Sequence, residues 1–251
     1  MAHWNDLPRP LVIAHRGDRA YAPENTLGAF RQAAEKGADG IEFDVKLTAD
    51  GQVIVLHDQT VDRTTDGKGD ISKLTLEQAS RLKANVQFPE QFPDERIPTL
   101  EEVFEAVGHT LFMNIELTNY STPSDGLVPK VVELVRAHAL QERVLFSSFL
   151  ARNLRKAAAL LPEVPRGLLT LEGILGLWGR QFGWRGDVQA LHPYYTEVKA
   201  GLVERVHAAG KSVNTWTVNG ENDIKALIGC GVDGIITDDP ALALRLLGRS
   251  K

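Results

Sequence analysis

Two strand-like stretches of the chain set carboxylates on one alternating face, opposite an apolar one. In GIEFDVKL, residues 40–47, alternation puts Ile41, Phe43 and Val45 on one face and Glu42, Asp44 and Lys46 on the other. In LFMNIELT, residues 111–118, Met113, Ile115 and Leu117 share one face, with Phe112, Asn114 and Glu116 opposite. Carboxylates two residues apart on a buried strand face repel each other and lose hydration, so they make sense there with a cation between them. One such pair alone would read as a solvated or lysine-paired face. Two acidic strands with the same alternation point to a metal site, with Glu42, Asp44 and Glu116 as its candidate ligands. An all-carboxylate set without cysteine suits a hard divalent cation, Mg²⁺ or Ca²⁺, better than zinc.

Two histidines close apolar runs: His15 follows LVIA and His57 follows VIVL. Imidazoles titrate near neutrality, and a pair beside a cation can serve as general acid and general base. Arg16, next to His15, offers a forked cation that matches paired anionic oxygens. A hard metal, an acid–base pair and an arginine in one mouth suggest chemistry at a phosphate. Of the other histidines, only His192, in ALHPYY, is expected near the same rim.

These groups need a scaffold that gathers strand ends. Strand candidates are Leu11–Ala14, Gly40–Leu47, Gln52–Leu56, Leu111–Leu117, Val144–Phe149, Arg166–Leu171, Val188–Leu191, Ser212–Val218 and Gly234–Thr237. Amphipathic stretches separate them, such as LGAFRQAAEKG with Gly37 as a helix stop, TLEEVFEAVG with Thr99 as N-cap, and GLVPKVVELVRAHAL. Strand–helix alternation repeated about eight times predicts a closed TIM-type (β/α)8 barrel, whose active site lies at the strand C-terminal ends. The segments GADGIEFD and GVDGIITD share a G-x-D-G-I entry into a strand, the same connection used twice. Residues 58–98 break the rhythm and read as an insertion after the second barrel strand, with one helix over Leu76–Lys83. No second domain is evident, so residues 1–251 read as a single domain.

Composition narrows the function classes. The 251 residues are 43% hydrophobic and 24% charged with net charge −5, and no dense Lys/Arg block marks a nucleic-acid surface. The one cysteine, Cys230, excludes an internal disulfide framework. The start of the chain lacks the pattern of a signal peptide, and no apolar stretch is long enough to span a membrane. A cytoplasmic location is expected.

The stretches HRG, APENTLGAF, GADGIEFDVKLTADGQVIVLHD, RTTDGKG, NIEL, VNTWTVN and GVDGIITDDP resemble the glycerophosphodiester phosphodiesterase family in wording and order, over residues 11–240. The resemblance implies a barrel enzyme for metal-dependent hydrolysis of small-molecule glycerophosphodiesters to sn-glycerol 3-phosphate and an alcohol. It implies His15 and His57 as the acid–base pair, Glu42, Asp44 and Glu116 as metal ligands, and Arg16 on the phosphate. It implies Trp216 near the glycerol pocket, where a core tryptophan is the alternative. It sets Glu24 and Asn25 at the rim, with Asn25 either the N-cap of the first helix or a substrate contact. The attacker, water or the glycerol's neighbouring hydroxyl, and the division of roles between the histidines stay open. The chain departs from the family at Thr118, where relatives commonly carry lysine; Lys46, inward by alternation, is the candidate replacement.

Two other functions compete. A lysophospholipase D-like enzyme would want an apolar track at the mouth, and residues 168–184, LLTLEGILGLWGRQFGW, are rich enough in Leu and Trp to supply one. The simpler reading of that segment is a buried helix with an ordinary apolar face. A catalytically silent phosphodiester-binding barrel is the other alternative, though the full set of histidines and carboxylates speaks against it.

Overall fold

A computed structural model of the chain describes residues 7–249. The chain start on which the absence of a leader was read falls partly outside these. Eight parallel strands close a barrel: β1 (Leu11–His15), β2 (Gly40–Leu47), β4 (Phe112–Leu117), β5 (Val144–Ser148), β6 (Arg166–Thr170), β7 (Ala190–Pro193), β8 (Ser212–Thr215) and β9 (Gly234–Thr237). Each pairs with its neighbour, and β1 closes the ring by pairing with both β2 and β9. The strand expected over Val188–Leu191 starts two residues later, and the one expected to reach Val218 ends at Thr215.

The remaining strand, β3 (Val53–Val55), is not a barrel stave. It pairs antiparallel with Val45–Leu47 of β2, at a level where β1 has already ended at His15. The hairpin from β2 to β3 therefore carries His57 back over the mouth. Residues 58–98 follow, with a short helix α2 (Leu76–Ala79) that is half the expected length. Val61, Ile71, Ala79, Ala84 and Ile97 bury themselves against Ile54 and Leu56, giving the segment an apolar cluster of its own.

The helices are α1 (Leu27–Lys36), α3 (Leu100–Val107), α4 (Leu127–Ala137), α5 (Ala151–Leu160), α6 (Gly173–Gln181), α7 (Ala200–His207), α8 (Glu221–Gly229) and α9 (Pro240–Leu246). Thr26 caps α1, so Asn25 is not its N-cap, and Thr99 forms a capping box with Glu102 at α3. Outward strand residues such as Ile41, Phe43, Val45, Met113 and Ile115 pack under these helices. Inward residues Leu11, Ile13, Phe112, Leu145, Ala190 and Ile236 form an apolar floor inside the barrel, with Trp216 against it. The repeated G-x-D-G-I entry has a physical purpose. Gly37 and Gly231 take left-handed φ of 87° and 79°, and the aspartate two residues on accepts the first free N–H of a neighbouring strand. Asp39 holds Val12 N at 2.7 Å and Asp233 holds Val213 N at 2.7 Å.

One expectation fails. The segment 168–184 is not a buried helix with an apolar face inward. On α6 only Gly176 and Arg180 are buried, while Ile174, Leu175, Leu177 and Trp178 stand in solvent. A Cβ on Gly176 would lie 1.8 Å from the Leu171 carbonyl oxygen, and one on Gly179 would lie 2.6 Å from Thr170. Glycines thus let this helix lie so close to the barrel that its large side chains must point away.

Candidate active site

Register brings the carboxylates together. In the parallel pair β2–β4, Glu42 lies opposite Asn114 and Asp44 opposite Glu116, while His15 at the end of β1 lies opposite Glu42. Glu42, Asp44 and Glu116 each offer an oxygen within 4.8 Å of the others. Burial pushes the Glu42 carboxyl well above its ordinary range, and Asp44 and Glu116 push it further. Burial and then Asp44 raise Glu116 to about 8. Glu42 Oε2 is buried with no hydrogen-bond donor on it. Hard oxygen donors crowded together, with Glu42 and Asp44 buried and Glu116 partly so, fit a divalent cation.

Further hydrogen bonds fix two of these carboxylates. Asn25, at φ 58°, donates from Nδ2 to Asp44 Oδ2 at 2.9 Å, and Tyr120 donates its hydroxyl to Glu116 Oε1 at 2.6 Å. The Lys46 ammonium donates to the Thr118 carbonyl at 2.9 Å and hydroxyl at 3.2 Å. Burial draws its pKa down, with Asp44 and Glu116 opposing. The short Thr118 side chain leaves room for the ammonium of Lys46.

Arg16 leaves β1 in a left-handed turn, φ 57°, followed by Gly17 at φ 87°. Its Nη1 donates to Glu24 Oε1 at 2.9 Å and its Nε lies 3.3 Å from Asp44 Oδ2. Glu24 is the hub of a larger network. It accepts from Arg19 at 3.0 Å and, through both oxygens, from Arg63 at 2.8 Å. Arg63 also donates to Asp58, which in turn bonds His57 Nδ1 at 2.6 Å. On the other side Asp238 bonds His15 Nδ1 at 2.6 Å and lies 3.4 Å from Arg19. Both histidines thus sit on a carboxylate at Nδ1, leaving Nε2 as the free ring nitrogen. His15 Nε2 is 3.9 Å from Glu42. Burial lowers the pKa of His15, with the Asp238 bond opposing. His57 remains half exposed.

Trp216 donates its Nε1–H to the His192 carbonyl at 2.8 Å. It joins an aromatic wall: Phe149 lies 5.5 Å and Tyr194 5.3 Å from its ring, and Tyr120 lies 5.8 Å from Phe149. His192 is not at the rim. It is fully buried in the barrel, on Asn214 at 3.0 Å, and burial lowers its pKa to about 3. The sequence reading did not single out Asp58, Asp238, Arg19, Arg63 or Tyr120. The aspartates at least carried a signal, each standing at the end of a strand-like run in VIVLHD and GIITDD.

Residues 15–242 match the glycerophosphoryl diester phosphodiesterase family. A glycerophosphodiester phosphodiesterase of Caldanaerobacter subterraneus is 43% identical over 95% of this chain and 98% of its own. Among solved structures, a phosphodiesterase of Oleispira antarctica in complex with the product sn-glycerol-3-phosphate superposes with a TM-score of 0.88 at 33% identity, covering 95% of this chain and 97% of that one. The glycerophosphodiester phosphodiesterase of Thermotoga maritima superposes at 0.76 with 27% identity, covering 96% and 99%. By the family match over residues 15–242, the 43% identity over nearly the whole chain and the shared barrel, the chain belongs to the glycerophosphoryl diester phosphodiesterase family and is a phosphodiesterase.

Proposed function

We propose that the chain hydrolyses glycerophosphodiesters to sn-glycerol 3-phosphate and an alcohol, with Glu42, Asp44 and Glu116 holding Mg²⁺ or Ca²⁺ and with His15 and His57 moving the protons. The observation that carries this reading is the juxtaposition of three crowded carboxylates, Glu42 and Asp44 buried and Glu116 partly so, with His15 and Arg16 at one strand end. The product named for the Oleispira antarctica phosphodiesterase supports the same substrate class. When bound, the cation supplies charge neutralisation at a phosphate oxygen.

The chain's own residues supply the rest. Arg16, anchored by Glu24 and Asp44, presents guanidinium N–H groups toward the phosphate, and Lys46 supplies positive charge beside it where Thr118 has no charge to give. His15 and His57 divide two proton transfers: removal from the attacking hydroxyl, and donation to the departing alkoxide as the P–O bond breaks. Asp238 and Asp58 hold the Nδ1–H of each ring, so that Nε2 is the atom that exchanges the proton. Trp216, in the aromatic wall, gives the glycerol moiety an apolar surface.

The test is release of glycerol 3-phosphate and choline from glycerophosphocholine. Equal amounts of both products are expected. His15→Ala and His57→Ala are each expected to lower kcat by about 10²- to 10⁴-fold, and Lys46→Met by roughly tenfold or more. Unchanged turnover in both histidine variants would refute the assignment.

A further inference from the structure

We propose that α6, with its neighbour α5, is a docking surface for an anionic lipid bilayer. The apolar side chains of α6 are turned out by construction. Ile174 is 84%, Leu175 81% and Trp178 67% exposed. The face on the barrel consists of Gly176, Gly179 and Arg180. The helix is also pinned in this orientation: Arg180 donates to the Leu171 and Gly173 carbonyls and pairs with Glu197 at 3.0 Å, and Trp184 Nε1 donates to the Arg180 carbonyl at 2.9 Å. It cannot roll to hide Leu175 and Trp178, because any other face would drive a side chain into the Leu171 backbone.

The charges beside this face choose its occupant. β5 and β6 are neighbours, so α5 stands next to α6 on the barrel surface. Its Arg152, Arg155 and Lys156 are exposed, and none makes a hydrogen bond or ion pair among the described residues. The sequence of α5, ARNLRKAAAL, contains no acid. The carboxylates around α6, in contrast, are engaged: Asp187 pairs with Arg166, Glu197 with Arg180, and Glu172 accepts the Thr196 hydroxyl. Exposed leucine, isoleucine and tryptophan on one helix, with unpaired arginine and lysine on the next, combine the apolar and basic groups that hold a surface at an anionic membrane interface. A second copy of the chain fits less well. Nine residues give a strip about 14 Å long and about 11 Å wide, on the order of 150 Å², well short of the roughly 800 Å² each partner buries in a stable pair. Among the described residues no helix is long and apolar enough to cross a membrane, so the attachment is peripheral. Because α6 starts three residues beyond the end of β6, the docked face adjoins the barrel mouth.

Co-sedimentation of the full chain with vesicles of phosphatidylcholine and phosphatidylglycerol tests this without reference to turnover. Binding is expected, weakening as salt rises. It should fall roughly tenfold in Leu175→Ser/Trp178→Ser and comparably in Arg155→Glu/Lys156→Glu. Both double variants should keep wild-type turnover of soluble glycerophosphocholine, which shows that they fold. No binding by the wild type, or binding that either variant leaves intact, overturns the proposal. A dimer in sedimentation velocity that Leu175→Ser/Trp178→Ser disperses would also overturn it and give the face to a second copy.

Discussion

At the scale of single residues, two carboxylates decide which nitrogen of each histidine is left free. Asp238 and Asp58 each fix an imidazole through a 2.6 Å bond to Nδ1. An amide in either place could present its NH₂ to Nδ1 and reverse the tautomer. Asp238→Asn and Asp58→Asn are therefore expected to lower kcat by about 10²- to 10⁴-fold with KM little changed, and to shift the kcat pH profile. A change in KM alone would make these residues substrate contacts instead. The histidines and metal-ligand candidates were legible in the sequence because strand alternation and chain order set them. Their partners were not. Asp238 is 223 positions from His15, and only barrel closure through β1 and β9 brings the two together.

At the scale of elements, the turn after β1 decides where Arg16 stands. Gly17 has φ 87°, and a Cβ there would lie 2.6 Å from Ala29 on α1. Gly17→Ala thus combines backbone strain with a clash against a buried helix. A loss of about 2–3 kcal/mol in chemical denaturation is expected, along with weaker substrate binding as Arg16 shifts. Unchanged stability would contradict this account of the turn. Alternation of strands and helices made the barrel readable, yet it left the place of one element open and misled at another. A strand's period cannot tell a barrel stave from a hairpin arm, so β3 became visible as the latter only through its antiparallel pairing with β2. Apolar residues at helical spacing read as an inward face, but on α6 glycine contacts reverse the orientation.

At the scale of the whole molecule, one charge network ties the insertion to the barrel. Glu24, buried at the rim, accepts from Arg16, Arg19 and Arg63, and through Asp58 and Asp238 the network reaches both histidines. Burial alone would raise the Glu24 carboxyl; the Arg63 bonds and the charges of Arg16 and Arg19 more than reverse this and hold it well below the ordinary carboxylate range. A carboxyl with its folded pKa depressed adds stability that is fully present above its unfolded pKa and is lost as pH falls below it. Wild type should exceed Glu24→Gln by about 3 kcal/mol at neutral pH, and the gap should narrow steadily below about pH 4. A gap independent of pH would show that the network contributes shape, not charge.

The central claim is that the Glu42–Asp44–Glu116 cluster holds a divalent cation on which hydrolysis depends. The most direct measurement is turnover of glycerophosphocholine by metal-stripped enzyme as Mg²⁺ or Ca²⁺ is added back, for wild type and for Asp44→Asn. Activity that is absent in the stripped enzyme, returns saturably with one of the ions, and needs a much higher concentration of it in Asp44→Asn is the predicted result. Full activity in the stripped enzyme, or the same ion dependence in both proteins, would contradict the account.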